Sequence, residues 1–182
     1  MHENWKFHHI SVVVKDMNKA IRHFESIGIG PFPPLIGPAG PVPLTNKRIG
    51  NKKSDYELDL RHARGGVGGL QFEVVQPLKG KTPVAEFLET KGEGIHHIGF
   101  FVDDFDREAA KMKDRGFKIT QYGETPTVKW AYFDTDKMGG VGIELMQETK
   151  KPGAEAKPEP KPAPKPKAKP KAKAQKKSKK KR

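Results

Sequence analysis

At 182 residues, with 35 Lys and Arg against 22 Asp and Glu and no cysteine, the chain has room for one domain plus an extension. Disulfides and thiolate metal sites are excluded. The basic excess is confined to one end: from Lys150 onward there are 15 Lys and Arg against 2 Asp and Glu, a net of +13, while residues 1–149 carry 20 of each.

Residues 7–14 read as a strand, with Val12, Val13 and Val14 supplying β-branched bulk. Side chains alternate between faces along a strand. Ile10, Val12 and Val14 therefore share one face, and His9, Ser11 and Val13 the other. Asp16 fits the N-cap of a helix carrying Met17, Ala20, Ile21 and Phe24 at helical spacing, and Gly28 fits the position just past its end. Residues 30–46 hold six prolines among Phe32, Leu35, Ile36, Val42 and Leu44. Proline cannot donate to a sheet ladder, so an apolar extended loop is expected, as a substrate cover or as simple packing.

Residues 55–62 alternate, with Tyr56, Leu58 and Leu60 facing one way and Asp55, Glu57 and Asp59 the other. Arg64 to Gly69 reads as a turn, and Leu70 to Val75 as a strand presenting Glu73 opposite Phe72 and Val74. Thr82-Pro83 opens a short helix to Lys91. Further strands are expected at 117–122, at 129–134 and around Glu144, the last entered through the Gly139-Gly140 turn.

The chain repeats itself. His8-His9-Ile10 returns as His96-His97-Ile98, and Val14/Val102, Asp16/Asp104 and Gly28/Gly116 keep the same offset. Phe72-Glu73-Val74-Val75-Gln76 is echoed by Ile143-Glu144-Leu145-Met146-Gln147. Two modules, about 5–80 and about 93–148, thus each open on a histidine strand and close on a glutamate strand. His9 and His97 sit on the face with a small neighbour, Ser11 or Gly99, and are selected as ligands; His8 and His96 are read as structural. Two His and two Glu make a mixed nitrogen and oxygen site for a divalent ion such as Co, Mn, Ni, Zn or Fe. Such an ion with open positions polarises a carbonyl and favours proton removal beside it.

The paired modules with HHISVVV, FEVVQPL, HHIGFFVDD and VGIELMQ resemble the vicinal oxygen chelate superfamily (glyoxalase, bleomycin resistance and dioxygenase proteins), most closely the methylmalonyl-CoA epimerase family. The resemblance spans residues 7–148. It implies an α+β fold in which two βαβββ modules form a curved, open mixed sheet around a metal held by His9, Glu73, His97 and Glu144. It further implies Glu144 as one catalytic carboxylate and Glu57 as the second, with Asp59 or Asp55 as substitutes, an acyl-CoA substrate and a homodimer.

The expected activity is a metal-dependent isomerase epimerising a methylmalonyl-CoA-like thioester. The alternatives are a glyoxalase I-like lyase, a ring-cleaving dioxygenase, which normally uses two His and one Glu, and a non-catalytic small-molecule binder, a class that commonly lacks the ligands. No apolar run approaches the ~18 residues that span a bilayer. The N-terminus lacks the features of a secretory signal, and a soluble cytoplasmic protein is expected.

Residues 150–182 contain Lys, Pro and Ala and no aromatic residue, and are expected to form a disordered tail outside the domain of residues 1–149. Its contact with nucleic acid or another polyanion would be electrostatic and sequence-independent. Retention of the full chain on immobilised DNA should fall steeply between about 50 and 200 mM salt. Cleavage after Gly153 should abolish retention and leave metal content unchanged; equal binding by the cleaved chain would place the polyanion site on the body.

Overall fold

The first strand, β1 (Lys6–Val13), forms over the expected β-branched run and passes into α1 (Met17–Ser26) through an Asp16 cap whose carboxylate accepts from the Lys19 N–H at 3.0 Å. The second module repeats this with β6 (Gly94–Phe101) and α3 (Phe105–Asp114), where Asp104 accepts from Arg107 N–H, also at 3.0 Å. Gly28 and Gly116 follow the two helices with φ of +87° and +89°, a conformation that favours glycine. The remaining elements are β2 (Thr45–Ile49), β3 (Lys52–Lys53), β4 (Glu57–His62), β5 (Gln71–Lys79), α2 (Pro83–Lys91), β7 (Ile119–Glu124), β8 (Val128–Phe133) and β9 (Gly142–Glu148). This computed structural model describes residues 4–63 and 70–149. The turn expected at Arg64 to Gly69 and the tail expected from Lys150 lie outside the described residues.

The strands form one mixed sheet in the order β3-β2-β7-β8-β9-β6-β1-β5-β4, curled into an open half-barrel. The histidine strands β1 and β6 pair antiparallel at its middle, and each lies parallel to its own glutamate strand, β5 or β9. Helices α1 and α3 cover the convex face, while α2 packs through Val84, Phe87 and Leu88 against the other cluster. Val14, Met17 and Val74 pack with Ala20, Ile21 and Phe24 under α1, while Val102, Phe105, Met112 and Leu145 pack under α3. On the concave face, Val13, Leu58, Leu60, Val75, Trp130 and Met146 form a third apolar cluster. The α+β architecture and the facing of Phe72 and Val74 away from Glu73 are as the alternation predicts.

The modules are less self-contained than the repeat suggests. The β2–β3 hairpin of the first module pairs with β7 of the second, at the opposite end of the sheet from β4. The Gly/Pro-rich segment accounts for this. It runs along the free edge of β4, touching it through a Pro34–Arg61 bridge and a 2.9 Å bond from Val42 N–H to the Leu58 carbonyl, and makes no regular ladder there. Among the described residues no helix is long and apolar enough to cross a membrane.

The repeated glutamine that ends each glutamate motif fastens strand to helix. Gln76 Oε1 accepts from Met17 N–H at 3.0 Å and its Nε2 donates to the Lys15 carbonyl at 3.0 Å. Gln147 does the same with Phe105 N–H at 3.0 Å and the Asp103 carbonyl at 2.9 Å. Each glutamine thus satisfies a helix-terminal N–H that has no partner within the helix. Gln147→Ala should destabilise the protein by about 1–2 kcal/mol, read as a shift in the denaturation midpoint; an unchanged midpoint would mean that water replaces the amide at no cost.

Candidate metal centre

Strand alternation and the β1–β6 pairing bring the repeated residues to one point on the concave face. His9 and His97 are 1% and 0% exposed, and their Nε2 atoms stand 3.0 Å apart. Glu73 Oε2 lies 3.6 Å from His9 Nε2 and 3.4 Å from His97 Nε2. Glu144 Oε2 lies 3.2 Å and 3.6 Å from the same two atoms. His9, Glu73 and His97 offer ligand atoms that all fall within 4.8 Å of one another. Glu144 is not in that mutual set and joins the cluster through its distances to the histidines. All four residues expected as ligands are therefore brought together.

These donors fit a divalent ion. Nitrogen and oxygen ligands at ~2.0–2.2 Å from a common ion lie ~2.9–3.6 Å apart, the range spanned by the measured separations. Glu73 Oε2 and Glu144 Oε2 are also buried without a hydrogen-bond partner. A buried polar atom left in this way is costly unless something unseen satisfies it, and a cation among the four side chains would satisfy both.

The electrostatics are uneven. Burial pushes Glu73 up, but His9, His62 and His97 overcome it and hold the carboxyl well below its usual range. Burial pushes Glu144 up to about 8, against His97 and with help from Glu73. Burial lowers His9, which stays neutral more readily. His62 Nε2 meets Glu73 Oε1 at 2.8 Å; burial pulls its pKa down, and Glu73 and then Glu144 raise it above the ordinary value.

Gly99 gives the His9 ring its place. A Cβ at Gly99 would sit 2.3–2.7 Å from three atoms of that ring. The small neighbour noted in the sequence thus makes room for the other module's histidine.

A cavity of about 260 Å³ adjoins the cluster and is bordered by both glutamates. Its wall includes Leu35 and Ile36 of the Gly/Pro-rich segment, Leu60, Trp130 and Met146, with His8, His62 and Thr125 as polar groups. The second catalytic carboxylate is not among them. Glu57 faces away from Leu58 and Leu60, reaches Lys79 at 3.8 Å and does not border the cavity. The alternation of β4 thus places Glu57 apart from Glu144 in this structure. The substitutes fare no better: Asp55 pairs with Lys47 and Lys79, and Asp59 grips Arg61 at 2.7 and 2.9 Å. His62 was missed. The same alternation carries it onto the Leu58 and Leu60 face, and the β4–β5 register sets it opposite Glu73.

Comparisons with known proteins bear on the family and the fold. The profile of the Glyoxalase/Bleomycin resistance protein/Dioxygenase superfamily matches residues 8–132, and the chain belongs to that superfamily. It is 26% identical over 151 residues to mitochondrial methylmalonyl-CoA epimerase of Bos taurus, covering 78% of this chain and 74% of that protein. It is 35% identical over 83 residues to the uncharacterized protein YqjC of Bacillus subtilis, where the match covers 44% of this chain and only 59% of that protein. Among solved structures, methylmalonyl-CoA epimerase of Mycobacterium tuberculosis superposes with a TM-score of 0.53 at 21% identity, over 80% of this chain and 89% of that one. A Streptomyces coelicolor methylmalonyl-CoA epimerase variant in complex with 2-nitronate-propionyl-CoA gives 0.53 at 17% identity, over 81% and 100%. At these identities the structural matches show a shared fold.

Purified full chain should take up about one divalent ion per chain, measured by elemental analysis after dialysis. Gly99→Ala should displace the His9 ring and remove most of that ion; undiminished metal content would mean the ring has room that the structure does not show.

Proposed function

We propose that the protein is a metal-dependent isomerase that moves a proton at a carbon next to a carbonyl, with a methylmalonyl-CoA-like acyl-CoA thioester as substrate. The observation that carries this reading is the convergence of His9, Glu73, His97 and Glu144 with two buried, unpartnered carboxylate oxygens beside a cavity. The epimerase relatives support the substrate class.

His9, Glu73, His97 and Glu144 would hold the ion, which when bound supplies a positive charge that polarises the substrate carbonyl. The chain's own groups do the rest. Glu144 takes the proton from the carbon, a role suited to a carboxylate that borders the cavity. Glu73, tethered at Oε1 by His62 and held ionised, stays a ligand. The apolar wall of Leu35, Ile36, Leu60 and Met146 keeps water from the reacting carbon.

The position of Glu57 favours a second reading. Inverting a stereocentre needs a proton returned to the opposite face of the carbon, whereas a single carboxylate suffices to pass a proton between adjacent carbons on one face. A glyoxalase I-like lyase acting on a thiol–ketoaldehyde adduct needs only the second of these.

Metal-loaded full chain in D2O should exchange deuterium into the carbon beside the thioester of methylmalonyl-CoA. Glu144→Gln should slow this by about 10²-fold or more, and Glu57→Gln should leave it unchanged. Exchange into a thiol–ketoaldehyde adduct but not the thioester would select the lyase; exchange into neither by the metal-loaded protein would overturn the reading.

A further inference from the structure

The doubled histidines are not explained by the ligand set, since only the second of each pair reaches the cluster. In a regular strand His8 and His96 would point to the face opposite their neighbours. The ladder shows why they do not. Phe7 faces Phe100 and His9 faces Gly99, so His8 is one residue too many on its strand. Ser11 faces His97 and Val12 faces Ile95, so His96 is the extra residue on the other. Both first histidines sit at β-bulges, which re-aim a side chain. His8 Nδ1 lies 2.9 Å from His9 Nδ1, with the rings at 87°. His96 Nδ1 lies 2.9 Å from His97 Nδ1, with the rings at 88°. The same contact is thus built twice, once in each module.

We propose that His8 and His96 are positioning residues that accept hydrogen bonds from the Nδ1–H groups of His9 and His97 and so fix both rings as Nε2 donors to the metal. This rests on the metal reading given above. Each Nδ1–Nδ1 contact requires one proton between two nitrogens. A neutral histidine that binds an ion through Nε2 carries its proton on Nδ1 and commonly donates it to a neighbouring group, which sets ring orientation and ligand basicity. In this protein that neighbour is the preceding histidine, whose own proton then sits on Nε2.

An imidazole acceptor also suits the charge of the site. Two glutamates already balance a divalent ion in a buried cluster. A carboxylate in the place of His8 or His96 would add a further buried negative charge, whereas a neutral ring orients the ligand without one. His96 is held by the Phe87 and Tyr132 rings at 5.1 and 5.3 Å, and His8 by Phe101 at 4.8 Å, so each acceptor is itself fixed.

The test uses the full chain, with Zn²⁺ and Co²⁺ titrated by calorimetry and by the Co²⁺ absorption spectrum. His8→Leu and His96→Leu should each weaken binding by about 10–100-fold and change the Co²⁺ spectrum. His8→Asn and His96→Asn, which restore an acceptor oxygen near the Nδ1 position, should recover most of the affinity. In the unsubstituted Zn²⁺-loaded protein, long-range ¹H–¹⁵N spectra should find the ring proton on Nδ1 of His9 and His97 and on Nε2 of His8 and His96. This measurement stands even if a leucine variant fails to fold. Leucine variants that bind as the parent does, or reversed tautomers, would overturn the relay and leave the metal site standing. A parent chain that binds neither ion would overturn the metal reading and the relay together.

Discussion

Two imidazole nitrogens held 3.0 Å apart across an antiparallel strand pair are the constraint on which the rest of this structure depends. The β1–β6 ladder must run in one register for His9 and His97 to meet, and each strand must lie parallel to its glutamate strand for Glu73 and Glu144 to reach them. The result is a knot of buried polar groups whose desolvation is expensive, at several kcal/mol per uncompensated ion. Apolar clusters on both faces of the sheet hold it in place. A divalent ion would turn this knot into a tie between the two modules.

Strand alternation together with the internal repeat made much of this legible in the sequence. Both glutamates could be set on the face of the ligand histidines because Phe72, Val74 and their counterparts had to pack against helices. Two features escaped for physical reasons. A β-bulge adds a residue to one strand without marking the sequence, so in the sequence His8 and His96 read as structural residues off the ligand face. Strand pairing is also non-local: nothing in residues 45–53 says that they join β7 rather than lie beside β4. The Glu57 assignment came from resemblance rather than alternation. The alternation itself sets Glu57 on the face opposite Leu58 and Leu60, and the structure keeps it there.

The Gly/Pro-rich segment resolves a choice that composition left open. It packs into the apolar clusters and also borders the cavity. Phe32 and Val42 are buried in the apolar clusters, while Leu35 and Ile36 line the cavity. Prolines make this possible, because a run that cannot complete a ladder can lie against the free edge of β4 and cover it without extending the sheet. One stretch of chain thereby protects an edge strand and closes the wall beside the glutamates.

The duplication is structural, but the chemistry of its two halves has diverged. The register that sets His62 opposite Glu73 sets Tyr132 opposite Glu144. His62 holds Glu73 through a 2.8 Å hydrogen bond and, with His9 and His97, lowers its pKa. Tyr132 turns its ring toward His97, with centroids 4.5 Å apart, and forms part of the enclosure that buries Glu144. Both repeated carboxylates are buried, but the histidines around Glu73 lower its pKa while that of Glu144 stays raised. Two like groups in different surroundings differ in how readily they hold a proton. His62 on β4 and Tyr132 on β8 occupy equivalent positions and give the two carboxylates different neighbours.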